Sequence, residues 1–245
     1  MIRLFLFVLL SHFLTAQNLE NSNTSPIHIL GTINKLEKPT QLDTAFNPLW
    51  VKDLSLLLPC KKVKIPKRAS RLPNAPRSYR NGTHKGIDFF ANWGTEVRAV
   101  AKGFVIRADH NYQEYPADFR VKLLQSSARV GHTPSDIFNS VLLGKAVFLD
   151  HGFDLVPGFR VITIYAHLSS IDNNIVGGAE IEAGHIIGKT GNTGTRPSTL
   201  GTKNEAHLHW EMILQKDNKE VYLGKDMEFE TLYSMLIDIF QSSKI

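Results

Sequence analysis

Two short motifs place histidine and aspartate at spacings that suit a metal ion. His84 and Asp88 are four residues apart, with Gly86 midway between them. Alternate residues of an extended strand share a face, so both side chains are predicted to point to one side, with Gly86 leaving room for an ion. His207 and His209, two residues apart, are expected to share a face for the same reason. Imidazole nitrogens and carboxylate oxygens are suitable zinc ligands.

A third motif places His167 directly after an apolar run at residues 161–164 and the pair Tyr165-Ala166. This position predicts a strand end, from which the side chain reaches over a groove. Three protein ligands leave one zinc position open for water, which is the catalytic pattern. A nearby histidine that does not bind the metal can orient this water, take its proton or stabilise an oxyanion. Each motif alone is weakly specific, because short histidine patterns also occur by chance.

Six segments that contain or flank these residues occur in a fixed order: HKGIDF, GTEVRAVAKGFV, VFLDHG, TIYAHLSSI, AGHIIGKTGNTG and HLHWEM. Together they resemble the LytM-type (lysostaphin-type) zinc peptidoglycan endopeptidase family, over roughly residues 80–215. The resemblance implies a β-rich sandwich around a narrow groove that holds one zinc ion. It implies that His84, Asp88 and His209 bind this ion. It also implies that His167 and His207 are catalytic histidines that act on the water and the oxyanion.

Two functions follow from this resemblance. The first is a zinc-dependent endopeptidase that hydrolyses peptide bonds in peptidoglycan stem peptides or cross-links. The alternative is a non-catalytic wall-binding regulator of other wall hydrolases, whose signature is a missing ligand, whereas this chain keeps all five positions. Residues 112–144 and 196–205 are longer than in compact family members, and are expected to wall off the groove and form one rim.

The pattern of apolar residues predicts a mainly β, mostly antiparallel architecture. The resemblance implies that this architecture is an antiparallel β-sandwich with a groove-lined zinc site. Short apolar or β-branched runs, separated by glycines, predict strands at 87–90, 97–100, 104–108, 146–149, 161–165, 186–187 and 208–214. Apolar residues at helical spacing within 112–144 predict a helical insertion. The same spacing near the end of the chain predicts a C-terminal helix within 225–245.

The N-terminus has the layout of a secretory signal peptide at 1–16, with Arg3 before an apolar run and Ala16 before the predicted cleavage site. An extended region at 17–75 is expected next, packing loosely over 17–50, and the peptidase domain is expected at 76–224. We expect an exported monomer in the periplasm or cell envelope, or outside the cell, without stable membrane insertion after signal cleavage. Asn and Asp side chains of the leader are candidates for occupying the open zinc position.

The net charge of +5 and the isoelectric point of about 9.2 favour a polyanionic partner. The chain lacks a zinc-finger spacing and an aromatic-basic platform, so we expect peptidoglycan and no nucleic acid. The basic stretch at 61–71 is interpreted as a solvated loop, with a wall-binding patch as the alternative. Cys60 is the single cysteine, which excludes an intramolecular disulfide and a cysteine-based metal site.

Overall fold

The computed structural model describes residues 40–41 and 45–241. The predicted signal peptide and most of the predicted leader lie outside the described residues. Within the described residues the chain forms thirteen strands: β1 (Thr40–Gln41), β2 (Pro76–Arg77), β3 (Gly82–Thr83), β4 (Ile87–Phe90), β5 (Glu96–Arg98), β6 (Gly103–Ala108), β7 (Val147–Asp150), β8 (Arg160–Ala166), β9 (Leu168–Ile171), β10 (Glu180–Ile181), β11 (Ile186–Thr190), β12 (His207–Lys216) and β13 (Lys219–Tyr222).

The larger sheet has the strand order β1-β13-β12-β8-β7-β6-β10, and β4 also pairs with β12. A second sheet has the order β5-β11-β9, and β2 pairs with β3. All of these pairs are antiparallel except β1 with β13. One hydrophobic core joins the two main sheets, with Trp210 and Leu208 from β12 packed in the same cluster as Val97 and Ile187. The predicted mainly β, antiparallel fold is confirmed.

The strands alternate buried and exposed positions where one face is solvated, and are buried throughout where both faces are covered. In β6 the pattern alternates, with Val105 buried and Phe104 half exposed. In β8 every residue after Arg160 is buried, because a second small cluster around Ile164 and Leu143 covers the face opposite the main core. The central strands are therefore held from both sides, which fixes the residues at their ends.

Two helical regions lie where the sequence predicts them, within 112–144 and 225–245, whereas a short helix at Arg196–Thr199 is not predicted. The segment predicted as an insertion contains α1 (Ala117–Val130), α2 (Ser135–Ile137) and a π-helical turn at Phe138–Leu142. A separate apolar cluster of Leu124, Val141 and Leu142 holds it together. The short helix α3 spans Arg196–Thr199, and α4 spans Phe229–Gln241 and packs on the main core. Every helix among the described residues is too short or too polar to cross a membrane.

The region before the sheets contributes to the core, so the expectation of loose packing is wrong where the structure describes residues 45–50. Phe46 is buried, and its backbone N–H donates to the carbonyl of Lys225 at 3.0 Å. Leu56 and Leu72 are buried in the same cluster. These apolar side chains enter the core singly from irregular backbone, including 3₁₀ turns at Pro48–Val51 and Ala69–Arg71. No periodic pattern marks such residues in a sequence.

Candidate metal centre

Adjacent strands β4 and β12 carry two of the predicted ligands. The antiparallel register places His209 directly opposite Asp88. Leu208 and Trp210, the neighbours of His209 in the chain, are fully buried in the core on the other face of β12. His207 and His209 therefore share the opposite face, as alternation along a strand requires.

His84 reaches the same place from outside the strand. The prediction that His84 and Asp88 share one extended strand is wrong, because β4 begins at Ile87 and His84 lies between β3 and β4. Its backbone N–H donates to the carbonyl of Ala75 at 2.9 Å, and its carbonyl accepts from the N–H of Asn74 at 2.9 Å. Contacts with the preceding segment, rather than the pleat of a strand, hold this histidine.

Gly86 is required for a reason different from the predicted one. A Cβ atom at this position would lie 2.5 Å from the carbonyl oxygen of Trp210 and 2.9 Å from Cε1 of His209. The glycine thus permits the close approach of β12 to the segment that carries His84, rather than leaving space for an ion. Any side chain here would push the His209 ring and the β12 backbone away.

Three potential ligand atoms converge between these elements. His84 Nε2 lies 3.0 Å from Asp88 Oδ1 and 3.0 Å from His209 Nδ1. His209 Nδ1 lies 2.8 Å from Asp88 Oδ1. All three residues are buried, with exposed fractions of 4% to 8%. Each contributes one atom to the group, which is the arrangement that a single small cation needs.

The hydrogen bonds on the far side of each ring fix which nitrogen faces the centre. His84 Nδ1 lies 2.8 Å from the carbonyl oxygen of Leu72, which only accepts, so Nδ1 carries the proton. His209 Nε2 lies 2.7 Å from Oε1 of Glu211 and donates to this carboxylate. When both rings are neutral, each therefore presents a lone pair to the Asp88 carboxylate. Three facing lone pairs at such distances repel one another unless a cation lies among them, and the donor set of two nitrogens and one oxygen fits zinc.

The pKa shifts of Asp88 and His209 also indicate that this site requires a positive charge. Burial acts to raise the pKa of Asp88, but the contacts of its carboxylate with His209 and His84 outweigh burial and hold the pKa well below its usual value. Burial acts to lower the pKa of His209, but Asp88 and Glu211 outweigh it and raise the pKa to about 9. A proton on His209 therefore supplies the charge when no metal is bound, and zinc binding must displace it.

Two residues that support the ligands were missed by the sequence analysis. Glu211 is 1% exposed, and burial acts to raise its pKa while the hydrogen bond and charge of His209 lower it by more. Arg77 donates to Oδ2 of Asp88 at 3.3 Å, the oxygen that faces away from the histidines. Glu211 follows His209 by two residues on β12, so the alternation of side chains along a strand could have predicted that both lie on the same face. Arg77 lies on β2, and no such alternation predicts its position.

The two predicted catalytic histidines lie beside this centre. The ring of His167 is 4.8 Å from that of His207 and 5.6 Å from that of His209, measured between centroids. His167 Nδ1 donates to the carbonyl of Thr193 at 2.7 Å, and His207 Nδ1 donates to the carbonyl of Glu205 at 2.7 Å. Burial lowers the pKa of both rings. Both are therefore neutral near pH 7, with an unprotonated Nε2.

His167 has an uncommon backbone conformation. It separates β8 from β9 with a φ of 61°, in the left-handed region that histidine adopts rarely. Buried strands on both sides hold this residue in place, and its N–H donates to the carbonyl of Leu143 at 2.9 Å. Strain of this kind often marks a functional side chain. The prediction that His167 follows a strand end agrees with its position.

All five predicted site residues line one groove, which has a volume of about 630 Å³. The helical segment, residues 112–144, forms part of the groove wall through Arg120, Val121, Leu124, Gln125 and Phe138. The remaining described histidines, His110, His132, His151 and His185, do not line it. His151 is buried and bonds to Thr163 and to the carbonyl of Lys102, which indicates a structural role.

The helical segment is fastened to both rims of the groove. Near its start, Glu114 accepts hydrogen bonds from the N–H of Gly194 at 3.0 Å and from the hydroxyl of Ser198. Near its middle, the Asn81 amide donates to the carbonyl of Gly131 at 3.0 Å. The turn at 194–198 and the 3₁₀ turn at Ser78–Arg80 are thus tied to the same segment. It closes one end of the groove as a fixed wall.

Comparison with known proteins supports the family resemblance. Residues 126–222 match the model of Peptidase family M23. The matched range contains His167, His207 and His209, whereas His84 and Asp88 precede it. The resemblance to LytM-type peptidases is confirmed by this match. No curated protein sequence matches the chain.

Several solved structures are similar to the chain at low identity. They include a candidate peptidase M23 from Pseudomonas aeruginosa (22% identity, TM-score 0.38, 80% of this chain and 57% of that chain). A zinc-containing peptidase from Vibrio cholerae is 19% identical (TM-score 0.35, 76% of this chain and 41% of that chain). The catalytic domain of lysostaphin from Staphylococcus simulans is 20% identical (TM-score 0.36, 76% of this chain and 98% of that chain). The chain thus spans little more than half of the first structure and less than half of the second.

Proposed function

We propose that this chain, whose residues 126–222 match Peptidase family M23, is a zinc metalloendopeptidase that hydrolyses peptide bonds in peptidoglycan stem peptides or cross-links. One observation carries the proposal. Three lone-pair atoms, from His84, Asp88 and His209, converge within about 3 Å beside two neutral histidines in an open groove. This arrangement supports a catalytic metal site better than a structural one, because only three protein ligands are present.

In this proposal His84 Nε2, Asp88 Oδ1 and His209 Nδ1 hold one zinc ion. Zinc, when bound, acts as a Lewis acid that lowers the pKa of water to about 7 and polarises the scissile carbonyl. Glu211 and the carbonyl of Leu72 hold the two imidazole rings in the orientation that binding requires. Arg77 holds the outer oxygen of the Asp88 carboxylate and so fixes its rotation.

His167 and His207 move protons and hold charge beside the ion. With Nδ1 fixed as a donor to a backbone carbonyl, each ring offers Nε2 as a base. One ring takes the proton from the attacking water and later gives it to the leaving nitrogen as the C–N bond breaks. The other ring, after taking a proton on Nε2 from solvent, donates a hydrogen bond to the carbonyl oxygen when that oxygen becomes negative. Burial keeps both rings neutral, ready to accept a proton, at neutral pH.

The surroundings of the site support a polymeric, anionic substrate outside the cytoplasm. The groove has a volume of about 630 Å³, which is large enough to hold part of a peptide chain. The net charge of +5 favours association with the carboxylate-bearing wall. The predicted signal peptide at 1–16 gives access to the periplasm, the cell envelope or the medium.

The test is release of soluble fragments from purified peptidoglycan, identified by mass spectrometry. Protein stripped of metal with a chelator, the same protein reloaded with zinc, and the zinc-loaded variant His207→Ala are compared. The variant His185→Ala, which removes an exposed histidine outside the groove, is the matched control. We expect zinc-dependent fragments with newly cut peptide bonds from the unaltered chain and from His185→Ala only.

The contrary result is also informative. If the zinc-loaded protein releases no fragments, hydrolysis is refuted and the non-catalytic regulator becomes the better hypothesis. A regulator retains its effect on a partner hydrolase when His207 is replaced. Fragments that contain cut glycosidic bonds but intact peptides would contradict the proposed reaction as well.

A further inference from the structure

The closed end of the groove contains a buried cation without a counter-ion. Arg80 is 7% exposed and lines the groove. Its guanidinium donates to the hydroxyl of Thr133 at 3.1 Å and to the carbonyl of Thr83 at 3.0 Å, and it lies 5.2 Å from the ring of Phe138. All of these partners are neutral. Among the described residues, no carboxylate forms an ion pair with Arg80.

Burying a guanidinium without a charged partner lowers the stability of the protein, and a bound anion would offset this loss. Arginine is seldom buried without a charged partner, because a guanidinium removed from water loses its hydration energy. The two hydrogen bonds use only part of its five donors. The hydrogen bonds to Thr133 and Thr83 also hold the guanidinium in one orientation, which lowers the entropy lost on binding a carboxylate.

Two further arginines add to the positive charge at this end. Arg120 projects from α1 and donates to the carbonyl of Gly194 at 3.0 Å. Arg120 lies on α1, which contacts α3, the helix that begins at Arg196, and both arginines line the groove. The side chain of Arg196 is exposed and has no hydrogen bond or ion pair within the part of the chain that the structure describes. Glu114 offsets part of this charge, but both its oxygens already accept hydrogen bonds.

The acidic residues that line the groove lie at the other end. Asp88 is occupied by Arg77 and the two histidine ligands. Glu205 is two residues from His207, and its backbone carbonyl holds that ring. The groove therefore has two parts: a metal end, where Asp88 pairs with Arg77 and Glu205 lies near the histidines, and a helical end, where Arg80, Arg120 and Arg196 lie on elements in contact with α1 or on α1 itself.

We propose that Arg80 and Arg196 form a subsite that binds a carboxylate of the peptide substrate, on the side of the groove closed by the helical segment 112–144. This inference rests on the proposed peptidase function and specifies its substrate: peptides with a free carboxylate near the scissile bond. Arginine forms paired hydrogen bonds with a carboxylate, which fixes the position of the peptide as well as attracting it. The carboxylate belongs either to the end of a peptide chain or to a side chain.

The test measures binding without turnover. Zinc-loaded protein in the His207→Ala background is titrated by NMR with two pairs of alanine-based tetrapeptides. The first pair differs only in a C-terminal carboxylate or carboxamide, and the second only in an internal glutamate or glutamine, with both ends blocked. We expect the acid member of one pair to bind about tenfold more tightly than its amide, as one charge-assisted contact provides. The pair that shows this preference identifies the source of the carboxylate.

Substitutions then assign the preference to the arginines. Arg80→Gln and Arg196→Gln are each expected to reduce the ratio to below about threefold, while the affinity for the amide peptide changes little. Arg80→Lys keeps the charge and is expected to retain part of the preference, which separates charge from a structural effect. The matched control is Arg129→Gln, which removes an exposed guanidinium from α1, outside the groove.

Equal affinity of the acid and amide peptides for the parent protein overturns the inference, and so does a preference that survives both Arg80→Gln and Arg196→Gln. Because the side chain of Arg196 is exposed and forms no hydrogen bond with the other described residues, its variant is expected to fold even if Arg80→Gln does not. This assay does not depend on hydrolysis. If the protein prefers the acid peptide but does not hydrolyse peptidoglycan, the subsite is supported and the proposed enzyme is refuted. If it hydrolyses peptidoglycan but binds the acid and amide peptides equally, the enzyme is supported and the subsite is refuted.

Discussion

The two ends of the groove are built in different ways. At the metal end, ligand atoms come from paired strands and from a segment tied to them, and every imidazole has its second nitrogen bonded to a protein acceptor. At the other end, a helical segment is fastened to two turns, and the guanidinium groups of Arg80 on one turn and Arg120 on the segment donate to neutral groups. The metal ligands thus depend on strand pairing and the contacts beside it, whereas the proposed carboxylate subsite depends on turns held by the helical segment.

The largest effect is expected from removing a ligand at the metal end. In His209→Ala the zinc content should fall from about one ion per chain to nearly zero, because two protein ligands do not hold zinc tightly. Peptidoglycan hydrolysis should become undetectable. Elemental analysis of dialysed protein, with His185→Ala as the control, measures the metal content directly. Full zinc content in His209→Ala would remove this residue from the ligand set.

Replacing a catalytic histidine should separate turnover from metal binding. His167→Ala is expected to lower kcat by about 10²- to 10⁴-fold, the usual contribution of a positioned acid or base. Its zinc content should remain that of the unaltered chain, since His167 Nδ1 bonds to Thr193 and the ring is not one of the three converging groups. Kinetics and elemental analysis on one preparation test this. A variant that loses zinc and activity together would show that His167 supports the metal instead.

A smaller effect is expected from replacing a residue that supports a metal ligand without binding the metal itself. Glu211→Gln keeps the shape of the side chain but removes the charge that accepts the Nε2 proton of His209. Zinc affinity should weaken by about 10- to 100-fold, as for other groups that orient a metal ligand. Competition with a chromophoric chelator measures the change. The control is Glu182→Gln, an exposed carboxylate whose loss should leave zinc affinity unaltered.

The smallest effect on chemistry is expected from loosening the helical wall. Glu114→Ala removes three hydrogen bonds, from Tyr112, Gly194 and Ser198. The free energy of unfolding should fall by about 1–3 kcal/mol, as for other hydrogen bonds to charged groups. KM for peptidoglycan fragments should rise several-fold while zinc affinity stays constant. If Glu114→Ala weakened zinc affinity as much as Glu211→Gln does, the metal end and the helical end would not be functionally separate.

The sequence predicts the metal end better than the rest of the groove. The order of the motifs identifies all five groove residues, and the alternation of β12 correctly separates His207 and His209 from the buried Leu208 and Trp210. The register that sets His209 against Asp88 joins strands about 120 residues apart, and no local pattern encodes it. The position of His84 outside β4 follows from its contacts with residues 72–75. A local sequence pattern does not predict these contacts either.

Other features escape prediction for different physical reasons. Phe46 and Leu72 enter the core from irregular backbone, so their burial leaves no periodic signal. Strand β9 follows His167 without an intervening turn sequence, because the left-handed conformation of that residue makes the turn. The lack of a counter-ion at Arg80 depends on which residues the helical segment places around it. That is a property of the fold and not of the motif.

The most direct test of the central claim is a crystal structure of zinc-loaded protein, with anomalous scattering recorded on both sides of the zinc absorption edge. The account predicts one strong anomalous peak per chain, bonded to His84 Nε2, Asp88 Oδ1 and His209 Nδ1, with His167 and His207 beside it but not bonded to it. A peak bonded to other residues, or four protein ligands that leave no open position, would contradict the assignment of this centre as catalytic.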